Sequence, residues 1–318
     1  MRIVITGAGG YIAADLVKAL LEGQFDKVPV TRLVLNDLDL SRFNLTDPRV
    51  ELVQGSLADA HVLDQLLAQP ADWVFHLAGI TSRKAEQDLA LGLRVNLHAT
   101  MALLEALRQQ NRPARLVFAS SIGVFGVPLP PEVNDSTPIK PTLSYGTQKH
   151  MAELLIADYT RRGHVDGRSI RLPGVIARPS QSIKALSTFS SDLLQELAAG
   201  RSYTCPVSAQ ATNWLISLPC SVAQIVHAAQ TSTSGWPAER VVTLPALRVR
   251  TGDLVQALER HLGMPLSHLV QWAPNPQIEA QFGNWPLLHT QAADQLGFSH
   301  DGTAENLVAR ALQATPRS

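Results

Sequence analysis

A glycine-rich turn near the N-terminus constrains the fold more than any other feature of this sequence. The stretch VITGAGGYIAADL joins an apolar run, RIVIT, to a segment whose apolar residues have helical spacing. Gly7 permits a tight turn, and Gly10 removes a side chain where backbone approaches a pyrophosphate. The helix that begins near Tyr11 and Ile12 adds unpaired N–H groups. We therefore predict a dinucleotide-binding turn, with an ordinary strand-to-helix turn as the alternative.

Short apolar runs alternate with longer helical patterns through the first half of the chain. These runs do not alternate strictly between apolar and polar residues, which is typical of strands that helices cover on both faces. They are RLVLND, VELVQG, DWVFHLAG, ARLVFASS and RSIRLPGVI. This order predicts an α/β fold, a Rossmann-like doubly wound parallel sheet. Beyond it the alternation fades, and the helical patterns FSSDLLQELAAG, LPCSVAQIVHAAQ and RTGDLVQALERHLG indicate a smaller C-terminal substrate-binding lobe.

These patterns divide the chain into two predicted domains. Residues 1–172 form the dinucleotide-binding domain, to which a segment at about 219–247 returns, and residues 173–318 form the smaller lobe. We expect the lobe to close over the carboxyl edge of the sheet, where doubly wound folds bind ligands. Gly200 is expected to end one helix of the lobe, and Thr251 to cap the start of another.

Composition excludes several classes of partner. The 318 residues carry 27 Lys plus Arg and 27 Asp plus Glu, so no net charge attracts nucleic acid or acidic lipid. Cys205 and Cys220 are too few for a disulfide framework or a thiolate metal site, which favours reduced thiols in the cytoplasm and no metal. No stretch approaches the length of about 18 apolar residues that a membrane span requires.

Asp37, which follows the apolar run RLVLN, is the predicted partner of the adenosine ribose. It lies a little beyond the spacing of about 20 residues that is usual after such glycines. Its carboxylate would repel a 2′-phosphate, so NAD is preferred over NADP. Asp39 is the alternative if the strand ends two residues later.

Two further strand ends are expected to contact the same cofactor. Ser56 and Leu57 follow the third strand, where they could flank an adenine, although Ser56 could instead cap the next helix. Leu77, Ala78 and Gly79 follow the fourth strand in the stretch HLAGITS, where small residues would let a cofactor lie against backbone. Gly79 could alternatively only end the strand.

The stretches VFASSIGVFG and SYGTQKH carry the predicted proton-transfer set. Ser121 ends the fifth strand, Tyr145 begins the next helix, and Lys149 lies one turn later on the same helix face. A phenol has an ordinary pKa of about 10, but the ammonium and an oxidised nicotinamide would both stabilise the phenolate. We predict that Tyr145 is the base, that Lys149 activates it and binds ribose, and that Ser121 orients the substrate hydroxyl. Exposed helix residues and a capping serine are the alternative.

The chain resembles the extended short-chain dehydrogenase/reductase superfamily, the group of NAD-dependent epimerases and dehydratases. The resemblance is carried, in this order, by the stretches TGAGGYIA, HLAG, RVNLHAT, ASSIGVFG, SYGTQK and RLPGVIARP. The resemblance implies that Asn96 lies beside the cofactor site and that Pro173 and Val175 lie next to the nicotinamide. A helix-kink residue bonded to backbone is the alternative for Asn96. The sequence departs from the family in Phe125, where a tyrosine is usual, and in Ala13, at the third glycine position.

The downstream stretches TCPV and TNWLIS narrow the resemblance to an aldonate-oxidising branch of that superfamily. This implies oxidation of the C2 hydroxyl of a four-carbon sugar acid, with NAD as the acceptor. Candidate substrate-binding residues, beside Ser121 and Tyr145, are Thr81, Ser82, Arg178 and Asn213. An ion pair is the alternative for Arg178. We expect Trp214 to pack in the core of the lobe.

Two rival functions stay open. A nucleotide-sugar epimerase or dehydratase would retain NAD without net reduction, and a cofactor-binding sensor would not need the Ser–Tyr–Lys set. The helical patterns at about 84–110 and 145–162 carry more apolar residues than one sheet face needs. By resemblance, we expect these helices to form the contact of a homodimer.

Overall fold

The computed structural model describes residues 1–24, 29–43, 47–110, 112–177 and 188–313. These residues form two compact units. The first comprises residues 1–124, 139–171 and 225–242, and the second comprises residues 125–138, 172–224 and 243–318. Residues 125–138, which the sequence places in the first predicted domain, are therefore part of the second unit.

Fourteen strands and twelve α-helices lie in the described ranges. The strands are β1 (Arg2–Thr6), β2 (Arg32–Asp37), β3 (Val50–Gln54), β4 (Trp73–His76), β5 (Ala114–Ser121), β6 (Glu132–Val133), β7 (Val165–Leu172), β8 (Gly174–Ile176), β9 (Tyr203–Cys205), β10 (Thr212–Ser217), β11 (Val241–Thr243), β12 (Leu247–Arg250), β13 (Val270–Trp272) and β14 (Leu287–Leu288). The helices are α1 (Tyr11–Leu21), α2 (Ala60–Leu66), α3 (Ser82–Gln87), α4 (Leu89–Gly92), α5 (Ala99–Arg108), α6 (Ser144–Arg161), α7 (Phe189–Ala198), α8 (Leu218–Gln230), α9 (Thr251–Leu262), α10 (Pro276–Phe282), α11 (Gln291–Gln295) and α12 (Ala304–Gln313).

A seven-stranded sheet organises the first unit, in the order β3-β2-β1-β4-β5-β7-β11. Strand β1 pairs in parallel with β2 and β4, and the parallel pairing continues outward to β3 and β5. Strands β1, β2 and β4 are almost wholly buried because helices cover both faces of the sheet. The predicted Rossmann-like fold is confirmed. Strand order reverses between β1 and β4, and in open α/β sheets ligands bind at such a point, outside the carboxyl ends of the strands.

The long helix predicted at about 84–110 is interrupted. Helix α3 ends before Asp88, whose carboxylate accepts a hydrogen bond from the backbone N–H of Leu91 and so starts α4. Residues Leu93–His98 then form a π-helical segment that leads into α5. Short π-helical segments widen a helix by one residue per turn and occur often at functional sites. Apolar spacing could not reveal this interruption because it is nearly the same on either side.

The predicted strand RSIRLPGVI is two strands in the structure. Strand β7 belongs to the seven-stranded sheet, whereas β8 pairs in parallel with β10 in the three-stranded sheet β12-β10-β8 of the second unit. Pro173 lies between them, and proline has no N–H with which to continue a ladder. The chain passes from one sheet to another at this residue.

The second unit has its own apolar core, built from β8, β10, α7, α9 and α12. Gly200 has a φ of +69° directly after the last turn of α7, which confirms the predicted helix end. The predicted cap at Thr251 is wrong. Helix α9 begins at Thr251 itself, and its hydroxyl donates to the carbonyl of Ala211. None of the helices in the described ranges combines the length and apolar character needed to cross a membrane.

Candidate active site

The glycine-rich turn between β1 and α1 has the backbone that its sequence predicts. Gly7 has a φ of +73°, a left-handed conformation that side chains rarely adopt. A Cβ at Gly7 would lie 2.5 Å from the backbone nitrogen of Ala78, and a Cβ at Gly9 would lie 2.5 Å from the carbonyl oxygen of Asp39. Gly10 is the N-cap residue of α1, and Ala13 is buried against the sheet. The turn therefore lies against the ends of two neighbouring strands.

Asp37 faces this turn at the end of β2. Its Oδ2 accepts a hydrogen bond of 2.9 Å from the backbone N–H of Gly9, and its Oδ1 accepts one from Leu38. Asp39 instead accepts from the backbone of Ser41 in the following turn, and hydrogen bonds from the hydroxyl and the backbone of Ser41 lower its pKa. The geometry therefore supports Asp37 over Asp39 as the carboxylate of the cofactor crevice.

The other candidate cofactor residues differ in their surroundings. Leu77, Ala78 and Gly79 follow β4 directly, with Ala78 packed against the turn at Gly7. Ser56 does not cap α2, whose N-cap residue is Asp59; its hydroxyl accepts from Ala58 instead. The side chain of Leu57 is buried in the apolar core of the first unit. Tyr11 and Ile12 are the first residues of α1 and are half-buried.

Ser121 and Tyr145 both lie close to Gly123. A Cβ at Gly123 would lie 3.3 Å from the Ser121 hydroxyl and 3.7 Å from the Tyr145 ring. The Ser121 oxygen accepts a hydrogen bond of 3.1 Å from the Gly123 N–H. A Cβ at Gly146 would lie only 2.3 Å from the carbonyl oxygen of Gly123. The two glycines, which the sequence prediction missed, let α6 approach β5 closely enough to bring hydroxyl and phenol together.

Lys149 completes the predicted set on the buried face of α6. Its Nζ donates a hydrogen bond of 2.8 Å to the carbonyl of Ala119 and lies 5.8 Å from the centre of the Tyr145 ring. Burial lowers the pKa of Lys149 to about 8, partly opposed by the charge of Glu153. Ser121, Tyr145 and Lys149 thus converge at the carboxyl end of β5, with an ammonium that stays charged at neutral pH.

His76 is a buried residue of this region that the sequence prediction missed. Its Nδ1 and Nε2 lie 2.7 Å and 2.9 Å from the hydroxyls of Thr6 and Thr100. Thr100 donates its hydroxyl hydrogen to the carbonyl of Asn96, so Nε2 must carry the imidazole hydrogen and Nδ1 must accept from Thr6. Burial, aided by the charge of Lys149, lowers the pKa of His76 to about 3. His76 is therefore neutral and joins the end of β1 to the first turn of α5.

Asn96 lies in that π-helical segment and is buried. Its Oδ1 accepts a hydrogen bond of 2.8 Å from the N–H of Ile80, and its Nδ2 donates to Gln148 Oε1 at 2.7 Å. A Cβ at Gly79 would lie 3.0 Å from Asn96 Oδ1 and 3.5 Å from Lys149 Nζ. Asn96 therefore bonds backbone, as the alternative for this residue anticipated, and it does so beside Gly79 and Lys149.

The candidates in the second unit are more scattered. Trp214 is buried, donates to the carbonyl of Pro286 and packs edge-on against Phe125, which confirms its predicted place in the core. Asn213 is buried and points to the same sheet face as Leu215, a member of the apolar core. Its Nδ2 has no hydrogen-bond partner among the described residues.

The remaining described candidates lie in and beside β8 and at the start of α3. Pro173 is buried between β7 and β8, and Val175 is half-buried in β8. Thr81 precedes α3 and is exposed, and Ser82 is the first residue of that helix. Arg178 lies outside the described residues.

These features match what a dinucleotide requires. Gly7, Gly9 and Gly79 keep side chains out of the crevice where backbone and polar groups already approach one another. The N-terminus of α1 supplies N–H groups for phosphates, and Asp37 supplies acceptors for ribose hydroxyls. Residues from β1, α1, β2, β4 and α6 would therefore hold NAD in the first unit.

Comparison with known proteins agrees with this geometry. Residues 3–214 match the model of the NAD dependent epimerase/dehydratase family. The chain is 38% identical over 97% of its length to a D-erythronate dehydrogenase from Cupriavidus necator, of which it covers 97%. It is 35% identical over 98% of its length to a D-erythronate dehydrogenase from Haemophilus influenzae, of which it covers 99%.

The fold also matches a solved structure over almost its whole length. The crystal structure of a nucleoside-diphosphate-sugar epimerase from Agrobacterium tumefaciens superimposes with a TM-score of 0.91 and 31% sequence identity. The match covers 99% of this chain and 95% of that one. Both an oxidising and an epimerising activity therefore occur among proteins similar to this chain.

Proposed function

This chain belongs to the NAD-dependent epimerase/dehydratase family, and from that premise we propose that it oxidises the C2 hydroxyl of D-erythronate to 2-dehydro-D-erythronate with NAD. That the protein is a dehydrogenase follows from its family and its relatives. The substrate assignment depends on one observation, the similarity over the full length to two D-erythronate dehydrogenases.

In the proposed reaction, Tyr145 removes the proton of the substrate hydroxyl. Bound NAD supplies the acceptor for the hydride from C2. Ser121 can donate its hydroxyl hydrogen to the substrate oxygen, because its own oxygen is held by the N–H of Gly123 at 3.1 Å. The substrate oxygen is then oriented between Ser121 and the Tyr145 phenol, which both lie close to Gly123.

Lys149 stabilises the phenolate that this proton transfer requires. Its ammonium lies 5.8 Å from the Tyr145 ring and 2.8 Å from the carbonyl of Ala119, which fixes its direction. A positive charge at that distance favours the ionised phenol. The same ammonium, close to Gly79, can donate to ribose hydroxyls of the cofactor.

The carboxylate of the sugar acid needs donors, for which Thr81, Ser82, Arg178 and Asn213 stay our candidates. Asn213 offers a buried Nδ2 without a partner among the described residues, although it shares a sheet face with Leu215 of the apolar core. Thr81 and Ser82 follow Gly79 and Ile80 at the carboxyl end of β4.

The substitution Tyr145→Phe tests this mechanism. We expect it to leave NADH binding within about twofold of wild type and to reduce turnover of D-erythronate by at least about 1,000-fold, because only the proton acceptor is lost. Turnover is measured as NADH absorbance and binding as NADH fluorescence. Thr147→Val, an exposed hydroxyl on the same helix, is the control. Turnover near the wild-type rate in Tyr145→Phe would contradict the proposal.

An epimerase or dehydratase that keeps its NAD is the second candidate, favoured by the match to the nucleoside-diphosphate-sugar epimerase. The two functions differ in a simple assay. The dehydrogenase should form NADH stoichiometrically with added four- to six-carbon aldonates, fastest with D-erythronate. Purified protein that retains NAD through desalting and forms no NADH with any aldonate would favour the epimerase or dehydratase.

We also propose a homodimer formed through α5 and α6. Met101 on α5 and Met151 and Leu154 on α6 are exposed apolar residues, and Leu154 is 59% exposed. Such residues on two neighbouring helices are typical of a surface that a second copy covers. A cytoplasmic location is consistent with Cys205 and Cys220, both buried thiols whose pKa burial raises to about 11.

A further inference from the structure

Helix α6 is joined to strand β5 by two polar contacts one helical turn apart. Lys149 Nζ donates to the carbonyl of Ala119, and Glu153 Oε1 accepts from the hydroxyl of Ser120. The next residue of the strand is Ser121. Ala119 is therefore bonded to Lys149, Ser120 is bonded to Glu153, and Ser121 lies near Tyr145. Three consecutive strand residues thus meet three successive turns of α6. A shift of the helix along the strand would break both contacts and separate Ser121 from Tyr145.

Glu153 is buried and bonded on every side that the structure describes. Arg171 on β7 donates from Nε to Oε1 at 2.9 Å and from Nη2 to Oε2 at 2.8 Å, a bidentate pair. His150 Nδ1 lies 3.2 Å from Oε2 on the same helix. Burial alone would raise the pKa of Glu153. Hydrogen bonds from His150, Arg171 and Ser120, together with the charge of Arg171, outweigh burial, so the pKa is lower than usual and the carboxylate is ionised.

Lys149 has no carboxylate of its own within hydrogen-bond distance among the described residues. Its Nζ lies 4.5 Å from the centre of the Phe118 ring, beside the phenol of Tyr145. The imidazole of His76 on β4 is neutral. Glu153 is the acidic side chain whose charge raises the pKa of Lys149 against the effect of burial. The ammonium therefore depends on a carboxylate one helical turn away that Arg171 partly neutralises.

We propose that Glu153 and Arg171 form a positioning pair, in which Glu153 holds α6 in register with β5 and keeps Lys149 protonated while Arg171 limits that effect. This inference rests on the proposed function, because it concerns the residue that activates Tyr145. Neither residue contacts the substrate hydroxyl in this arrangement. Both act through Lys149.

Substitution of the two residues should shift the pH at which Lys149 loses its proton in opposite directions. Glu153→Gln removes the negative charge that raises the pKa of Lys149, so Lys149 should lose its proton at lower pH. Arg171→Met removes the positive charge that partly neutralises Glu153, so Lys149 should lose its proton at higher pH. Each shift should be about 1 pH unit. Arg171→Lys keeps the charge, and its Lys149 should titrate as in wild type.

The measurement is the alkaline limb of kcat/KM for D-erythronate between pH 6 and 10, together with NADH affinity by fluorescence over the same range. Both should report Lys149, because its ammonium stabilises the phenolate and binds ribose. Asp158→Asn is the matched control, since Asp158 is an exposed carboxylate on the same helix that pairs with Arg161 and Arg162. It should leave both limbs unchanged.

The NADH measurement separates this inference from the substrate assignment. If D-erythronate is not turned over but the NADH limb moves down in Glu153→Gln and up in Arg171→Met, the positioning pair stands and the substrate is wrong. The positioning pair is overturned if the alkaline limbs of kcat/KM and NADH affinity stay at the wild-type pH, or if they shift in the same direction in both variants. If Glu153→Gln does not fold, Arg171→Met and the double variant Glu153→Gln/Arg171→Met decide. The alkaline limb should lie at a higher pH than wild type in Arg171→Met, and near the wild-type pH in the double variant.

Discussion

At the scale of single residues, the site contains a charge that its surroundings disfavour. Lys149 is 3% exposed, and burial lowers its pKa from 10.5 to about 8. Such a shift corresponds to roughly 3 kcal/mol of free energy against the charged form. The hydrogen bond from Lys149 to the carbonyl of Ala119 offsets about 1 kcal/mol of this destabilisation. The chain therefore keeps the ammonium at a net cost in stability.

Lys149→Met should accordingly abolish turnover while raising stability. We expect the free energy of unfolding to rise by about 2 kcal/mol at pH 7, because methionine fills similar volume without the buried charge. The folded pKa lies below the unfolded one, so the cost is full below pH 8 and fades as pH rises toward 10.5. Urea unfolding without cofactor at pH 7 and pH 9.5 checks this. A variant less stable than wild type at both pH values would contradict it.

At the scale of elements, two arginines of the central sheet hold the end of α8. Arg168 on β7 is fully buried and donates to the carbonyl of Ala228 at 2.6 Å and to that of Thr231. Arg115 on β5 donates to the carbonyl of Ala229. The last carbonyls of a helix have no partners within it, and its C-terminus favours positive charge. Asp166 pairs with both arginines and so compensates the buried charge.

Arg168→Met should destabilise the protein strongly. It leaves Asp166 with less positive charge and the end of α8 with unpaired carbonyls, a loss of roughly 3–5 kcal/mol. The measurement is urea unfolding at pH 7. Arg161→Met, an exposed arginine on α6 that also pairs with an aspartate, is the control and should change stability by less than about 0.5 kcal/mol. Equal effects of the two substitutions would refute the capping role.

At the scale of the whole molecule, the proposed dimer depends on the exposed apolar face of α5 and α6. Leu154→Glu should convert the dimer to a monomer in sedimentation velocity, because it places charge in an apolar contact. Leu262→Glu is the control, since Leu262 is also exposed, at 38%, but lies on α9 of the second unit. A wild-type protein that sediments as a monomer at micromolar concentration would refute the dimer.

By itself, the sequence determined the sheet, the glycine turn and the order of Ser121, Tyr145 and Lys149. These features depend on local chemistry: buried parallel strands are apolar throughout, a φ of +73° favours glycine, and residues four apart share a helix face. Asp37 could be preferred to Asp39 because a strand's last residue lies at the ligand edge.

Only the tertiary structure decided which side chains support that set. His76, Glu153 and Arg171 come from β4, α6 and β7, and their partners on other elements are 18 to 70 residues away in the chain. Gly123 and Gly146 matter because two backbones approach within contact distance, a fact that no spacing encodes. Periodicity reports which face of an element is buried, whereas hydrogen-bond partners depend on how elements pack. The charge state of Lys149 is therefore a property of the fold.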